Sequence, residues 1–217
     1  MKIAIYSCNF GNYRNELDRN IDDIYYDENI DYFFFTELNN LKSKYWKIIN
    51  PKLQDKLDFM NENRHTSKVV KFLVPDIIKQ YDIIIWIDNK SIKRVKFKHH
   101  HIIDLVNKHP NYINFIKHHK RINCKQEINA TIRLKLENRQ NGNKFLNKIK
   151  EIKFKTILPD TKCIIYKNSK DNIDLFTKVY DTLIENKMSR DQNVIQYVLK
   201  KNNFEDKVNY FTFKELF

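Results

Sequence analysis

Glycine and proline are scarce in this 217-residue chain, two and four in all, and cysteine occurs only three times. No Pro/Gly/Ser-rich linker therefore interrupts the sequence, and residues 1–217 are expected to form one domain with a core of good size. Cys8, Cys124 and Cys163 are too few and too widely spaced for a disulfide framework or a Cys-x-x-Cys zinc site, so reduced thiols are expected. No apolar run approaches the ~20 residues of a membrane span. Met1 leads straight into a strand pattern with no signal-peptide segment, which predicts a soluble, cytoplasmic protein. Acidic residues are the rarer charge, 27 against 40 Lys and Arg, for a formal net charge of +13. Such an excess suits nucleic acid, whose phosphates supply most non-specific affinity. Yet Lys, Asn, Ile, Tyr and Phe are all abundant, as AT-rich coding alone would produce, and no RNP, KH or zinc-finger signature occurs. At 41% hydrophobic and 31% charged the chain should fold.

What is present centres on Tyr81 to Ser91. Ile83 to Ile87 is a continuous, largely β-branched run, the pattern of a strand buried on both faces of a parallel sheet, and it ends on Asp88. In open α/β sheets ligands sit beyond the carboxyl ends of strands, which would put Asp88 at a phosphate, sugar or metal site. Asp88-Asn89 would equally serve to start a turn. Lys2 to Cys8 is a first strand, and Gly11 directly after it marks a sharp bend or a close approach of backbone, with a plain turn as the simpler reading. Further strands are expected over Asp31 to Glu37, Tyr45 to Ile49, Tyr112 to Ile116 and Lys162 to Tyr166, with an edge strand over Val208 to Phe213. Helical spacing is expected over Glu62 to Gln80, with Val69, Val70, Leu73 and Ile77 as its apolar face and Pro75 kinking or dividing it. More helices are expected over His99 to Val106, from Glu127 towards Asn138, and over Asp171 to Glu185. Strands alternating with helices give an α/β layered fold, with a mostly parallel central sheet flanked by helices.

Several polar groups carry chemical meaning. Arg64, Lys68 and Lys71 share one helix face at i, i+4 and i+7, a solvated basic stripe or, with Asp88 following, a hold on an anion. The histidines at 99 to 101 have no carboxylate or Cys at ligand spacing and read as helix surface. Ser189-Arg-Asp-Gln192 reads as a capping box with Asp191 complementing the helix dipole, which leaves Arg190 unexplained.

In order and spacing, five blocks resemble the GT-A-type glycosyltransferase domain typified by plant proteins linked to turgor regulation and seed mucilage, also found in bacteria and large DNA viruses. They are Tyr6-Ser-Cys-Asn-Phe-Gly-Asn-Tyr13, Asp31-Tyr-Phe-Phe-Phe-Thr-Glu37, Arg64-x-x-Ser-Lys-x-x-Lys71, Trp86-Ile-Asp88 and Ser189-Arg-Asp-Gln192. His119-x-Arg121-x-x-Cys124 with Glu127 forms a weaker sixth. The resemblance implies a single GT-A domain moving a sugar from a nucleotide-sugar donor, UDP-linked first, to a saccharide or glycoprotein acceptor, with retention of configuration preferred. Asn9, Phe10, Gly11, Tyr13, Thr36 and Glu37 would hold the nucleoside side of the donor. Arg64, Lys68, Lys71, His119, Arg121, Arg190 and Gln192 would face its remainder, and Ile87, Asp88, Asn89 and Lys90 would stand at the acidic motif. Where the family pattern has Asp-x-Asp this chain has Asp88-Asn89-Lys90, so a Mn²⁺ or Mg²⁺ ion would be held by Asp88 alone and weakly, with Lys90 partly substituting. Asp191, then Glu127, are the carboxylates expected near the reacting carbon, as base or as stabiliser of positive charge. Two other readings remain: a basic nucleic-acid-binding module, and a degenerate GT-A fold that binds a saccharide without chemistry.

Overall fold

The computed structural model describes residues 1–13, 21–110, 112–212 and 214. Among them seven strands join in one sheet: β1 (Ile3–Cys8), β2 (Ile30–Phe35), β3 (Lys47–Ile49), β4 (Ile83–Ile87), β5 (Ile113–Lys117), β6 (Pro159–Lys167) and β7 (Val208–Phe211). Their order across the sheet is β3-β2-β1-β4-β6-β5-β7. The pairs β1–β2, β1–β4, β2–β3 and β5–β7 are parallel, whereas β6 runs antiparallel to both β4 and β5. The reversal of β6 matters for function. It brings the start of β6 to the same sheet edge as the ends of β1 and β4, so Asp160, Thr161 and Lys162 come to lie beside Asp88, whose amide donates to Lys162 O at 2.7 Å.

The central strands are apolar throughout because both sheet faces are covered. On β4, Ile84 and Trp86 face one layer and Ile83, Ile85 and Ile87 the other, as the two-residue period of a strand requires. The first layer packs against α1 (Glu62–Phe72), α4 (Cys124–Arg133), α6 (Lys170–Glu185) and α7 (Ile195–Lys201). The second is covered by α3 (His99–Lys108) and by the segment carrying Ile92, Val95 and Phe97.

Of the two effects expected of Pro75, division is the one found: the stretch from Glu62 to Gln80 forms two helices, α1 and the short α2 (Asp76–Lys79), separated by Leu73-Val74-Pro75. Pro75 lacks the amide to continue the ladder, and Val74 before it sits at φ 44°, a left-handed conformation costly for a β-branched residue. The break rotates the two helices' faces, so Ile77 is exposed while His65, Thr66, Val70, Lys71 and Phe72 are the buried residues of α1. The helix expected from Glu127 towards Asn138 begins earlier, at Cys124, and ends at Arg133, and α5 (Arg139–Ile149) follows it in a stretch rich in Asn and Lys that contains Gly142. That glycine serves packing: a Cβ there would lie 2.6 Å from Ile132 Cδ1, so its absence lets α5 close on α4. The tail strand ends at Phe211, and Phe213 lies outside the described residues.

Candidate active site

A cavity of about 830 Å³ opens at the edge where β1 and β4 end and β6 begins, a volume typical of small-molecule sites. Seven cationic side chains line it against four carboxylates, which leaves a positive excess suited to an anion.

Asp191 lies at the centre of this charge. It is 7% exposed. Its Oδ1 accepts from Lys68 Nζ at 2.7 Å, and its Oδ2 from Lys71 Nζ at 2.6 Å and Thr161 Oγ1 at 2.8 Å. Lys71 also donates to Thr161 O at 2.7 Å, stands 3.7 Å from Asp88 Oδ1 and lies over the Trp86 ring. Burial alone would raise the Asp191 carboxyl, but the Lys68 and Lys71 ammoniums beside it overcome that and hold it well below the ordinary carboxylate range. Burial would likewise depress Lys71, yet Asp191 and then Asp88 raise it. For Lys68 burial wins, aided by the like charge of Lys71, and its pKa falls. The i, i+4 and i+7 spacing on α1 is what aims Arg64, Lys68 and Lys71 into one cavity.

The capping-box reading of Ser189 to Gln192 is corrected. Asp191–Asn193 is a single 3-10 turn, and α7 starts only at Ile195 with no side-chain cap. Ser189 turns instead to Glu137, to which it gives both its amide and its hydroxyl, and Gln192 Nε2 donates to Asp160 Oδ1 at 3.4 Å. Asp191 is thus an ion-pair centre rather than a complement to a helix dipole.

The loop after β1 forms another wall. Asn9 closes it on Tyr13, accepting from the Tyr13 amide at 2.8 Å, and Phe10 is buried beneath it. Gly11 sits at φ 67°, and a Cβ there would come within 2.2 Å of Asn63 Nδ2. Its amide donates to Glu37 Oε1 at 2.6 Å. Gly11→Ala is accordingly expected to cost about 1 kcal/mol of stability, read by urea denaturation, because the left-handed backbone resists a Cβ, while the Asn63 side chain would have to swing aside. An unchanged midpoint would show that the loop relaxes freely.

On the far wall stand His118, His119, Arg121 and Glu127. Glu127 is buried and pairs with Arg121 Nη1 at 2.8 Å, with His118 Nε2 at 3.7 Å. His118 Nδ1 accepts from the amides of Lys120 and Arg121, which places the proton of a neutral imidazole on Nε2. Burial, against the pull of Glu127 and Asp160, lowers the His118 pKa and favours that neutral form.

Of the residues singled out from sequence, Asn9, Phe10, Gly11, Tyr13, Arg64, Lys68, Lys71 and Asp88 line the cavity. So do Asn89, Lys90, His119, Arg121, Glu127, Arg190, Asp191 and Gln192. Thr36, Glu37 and Ile87 are not among its lining residues. Thr36 is buried at the end of β2, Glu37 braces the Gly11 loop from outside, and the side chain of Ile87 points into the opposite layer. Sequence reasoning missed Asp160, Thr161, Lys162 and His118, whose presence depends on the antiparallel β6 and on the end of β5. It also missed Glu137, which stands behind the cavity and has no motif of its own.

A divalent ion fits this donor set poorly. Asp191 is saturated by two ammoniums and a hydroxyl, Asp160 is paired with Lys162 Nζ at 2.7 Å, and Glu127 with Arg121. Asp88 remains, accepting from Trp86 Nε1 at 3.0 Å with the Lys71 ammonium nearby. Among the described residues no group of three or more His, Cys, Asp and Glu side chains is arranged to hold a metal.

The backbone that carries this site has a solved counterpart. Mouse xyloside xylosyltransferase 1 in its apo form aligns over 97% of this chain and 85% of its own, with a TM-score of 0.53 at 10% sequence identity. The fold is of the GT-A type. Two further structures align at lower similarity. The glycosyltransferase GlyE of Streptococcus pneumoniae TIGR4 has 12% identity and a TM-score of 0.49, over 97% of this chain and 45% of that one. The galactosyltransferase LgtC, solved with donor and acceptor sugar analogues, has 11% identity and a TM-score of 0.48, over 95% and 72%. The chain thus spans under half the length of GlyE. No family model matches the sequence, and no curated protein matches it. Within the GT-A fold the cavity occupies the sheet edge where ligands of open α/β sheets are bound. No helix among the described residues is long and apolar enough to cross a membrane.

Proposed function

We propose that residues 1–217 act as one glycosyltransferase domain that takes a sugar from a nucleotide-diphosphate donor, UDP-linked first, and passes it to a saccharide or glycoprotein acceptor. The observation that carries this reading is the concentration of cations in one concave site. Arg64, Lys68, Lys71, Lys90 and Arg190 line a single cavity at the Asp88 edge, where a diphosphate with two or more negative charges would be neutralised. A nucleic-acid binder needs its cations spread across an open face instead.

In this reading the Asn9 to Tyr13 loop borders the nucleoside, with Phe10 beneath it. Lys68 and Lys71, held by Asp191, direct positive charge at the leaving diphosphate, which lowers the barrier because that charge grows as the glycosidic bond breaks. Asp191, ionised and fully engaged, is poorly suited to take a proton from an acceptor, which favours retention over a base-driven inversion. Its role is to position the two lysines. Glu127, with Arg121 and the Nε2–H of His118, forms the opposite wall, where the acceptor would lie.

Thermal unfolding tests the donor assignment. UDP at a hundredfold its dissociation constant should stabilise the protein by about 2.7 kcal/mol, while single-stranded RNA at moderate salt should not. Turnover against a panel of nucleotide-sugars then separates an active transferase from a binding-only GT-A fold. Stabilisation by RNA and not by UDP would replace this reading with the nucleic-acid one.

A further inference from the structure

We propose that this chain binds the diphosphate of its donor with Arg64, Lys90 and Arg190 in the role a divalent ion would otherwise fill. The proposal rests on the nucleotide-sugar reading above and adds to it how the phosphates are held.

Two independent features support it. First, the carboxylates that would capture a cation are already engaged by the chain's own cations. Asp191 takes Lys68 and Lys71, Asp160 takes Lys162, and Glu127 is neutralised by the Arg121 guanidinium at 2.8 Å, although its buried Oε2 accepts no hydrogen bond. Asp88 stands alone at the strand end, but the Lys71 ammonium is 3.7 Å from its Oδ1, and a doubly charged ion docked on that carboxylate would be repelled by it. Second, the remaining cations lack counterparts. Among the described residues the guanidinium of Arg64, the ammonium of Lys90 and the guanidinium of Arg190 have no hydrogen-bond or ion-pair partner, although all three line the cavity. Arg190 carries the stronger argument, because its Nε is buried with nothing to donate to. A buried unsatisfied guanidinium N–H is costly unless something arrives to accept from it. A phosphate oxygen matches that demand, since guanidinium groups bind phosphates through paired N–H donors. The backbone at this point is fixed: the Arg190 amide donates to Glu137 Oε2 at 3.2 Å, and the next residue is the buried Asp191. The cation therefore comes from a rigid segment rather than a mobile surface arm. Lys68 adds to the set, for only one of its three N–H donors is used, by Asp191.

Isothermal titration of the purified chain with UDP, once in excess EDTA and once in Mn²⁺, tests the proposal. The expected result is binding in EDTA with an affinity within about threefold of that in Mn²⁺, a difference of under 1 kcal/mol. Arg190→Gln should weaken UDP by about tenfold or more in EDTA while the free protein stays folded with a thermal midpoint close to the parent's, because no side-chain hydrogen bond or ion pair is lost and the orphaned N–H removed offsets the packing given up. Arg190→Lys should recover part of the affinity. Binding that appears only with Mn²⁺ would overturn the proposal and leave the nucleotide-sugar reading standing. Absence of binding under both conditions would overturn that reading and this proposal together. An Arg190→Gln variant that binds UDP like the parent would also overturn it, by showing that the orphaned guanidinium has another purpose.

Discussion

Replacing Asp191 by Asn is expected to destabilise the fold by about 3–5 kcal/mol. The carboxylate neutralises two buried ammoniums at once, and an amide would leave Lys68 and Lys71 facing each other across a site where their side chains are 15% and 4% exposed. One Asn oxygen can accept from one lysine, but the amide nitrogen on the other side offers a donor to a donor. The same geometry fixes the acid response. The folded Asp191 pKa lies well below its ordinary value of 3.8, so this carboxylate's contribution is fully present above the unfolded value and disappears as pH falls from about 4 through the folded pKa. The stability gap between parent and variant in urea melts should therefore narrow as pH is lowered from about 4 towards 2, the variant having lost in advance what protonation removes from the parent. Adding Lys68→Met to Asp191→Asn should restore part of the loss by removing one unpaired charge. Equal stabilities for parent and Asp191→Asn at neutral pH would show that the ammoniums escape to solvent and that no buried centre exists.

Asp191 also shows where sequence reading reaches and where it stops. The α/β pattern, the β4 strand ending in Asp88 and the helical alignment of Arg64, Lys68 and Lys71 depend on local periodicity, which a sequence displays directly. The meaning of Ser189 to Gln192 does not. Ser-x-x-Gln before an apolar run is a capping pattern locally, and only the tertiary fold places a buried carboxylate, Glu137, beside Ser189 and two lysines beside Asp191. The direction of β6 was equally hidden, since an apolar strand reads alike whether it runs with its neighbours or against them. That direction decides whether Asp160, Thr161 and Lys162 join the site. Gly142 marks a related limit: a glycine within a helix counts against the helix in isolation, and its benefit lies in the approach of α4, outside the local window.

The second large effect is expected at Glu137, which no motif marked. Its buried carboxylate accepts from the Ser189 amide and hydroxyl, the Arg190 amide and the Asn193 side-chain amide, at 2.9–3.2 Å. Among the described residues it has no cationic partner, so its charge is carried by these donors. Five consecutive residues, Ser189 to Asn193, are thereby hung from one side chain on the loop between α4 and α5. Glu137→Ala would orphan several buried donors at about 1–3 kcal/mol each, so a loss of about 3 kcal/mol or more is expected. Glu137→Gln preserves the shape but turns an NH₂ toward N–H donors, and it should lose most of the same stability. The site should respond beyond the fold, because the segment released carries both Arg190 and Asp191. UDP affinity, measured well below the lowered melting point, is expected to fall with either variant, and the pairing of Lys68 and Lys71 should loosen with it. A Glu137→Ala protein that melts lower yet binds UDP like the parent would mean that Lys68 and Lys71 hold Asp191 in place unaided, and that the anchoring runs from α1 to the turn rather than from Glu137.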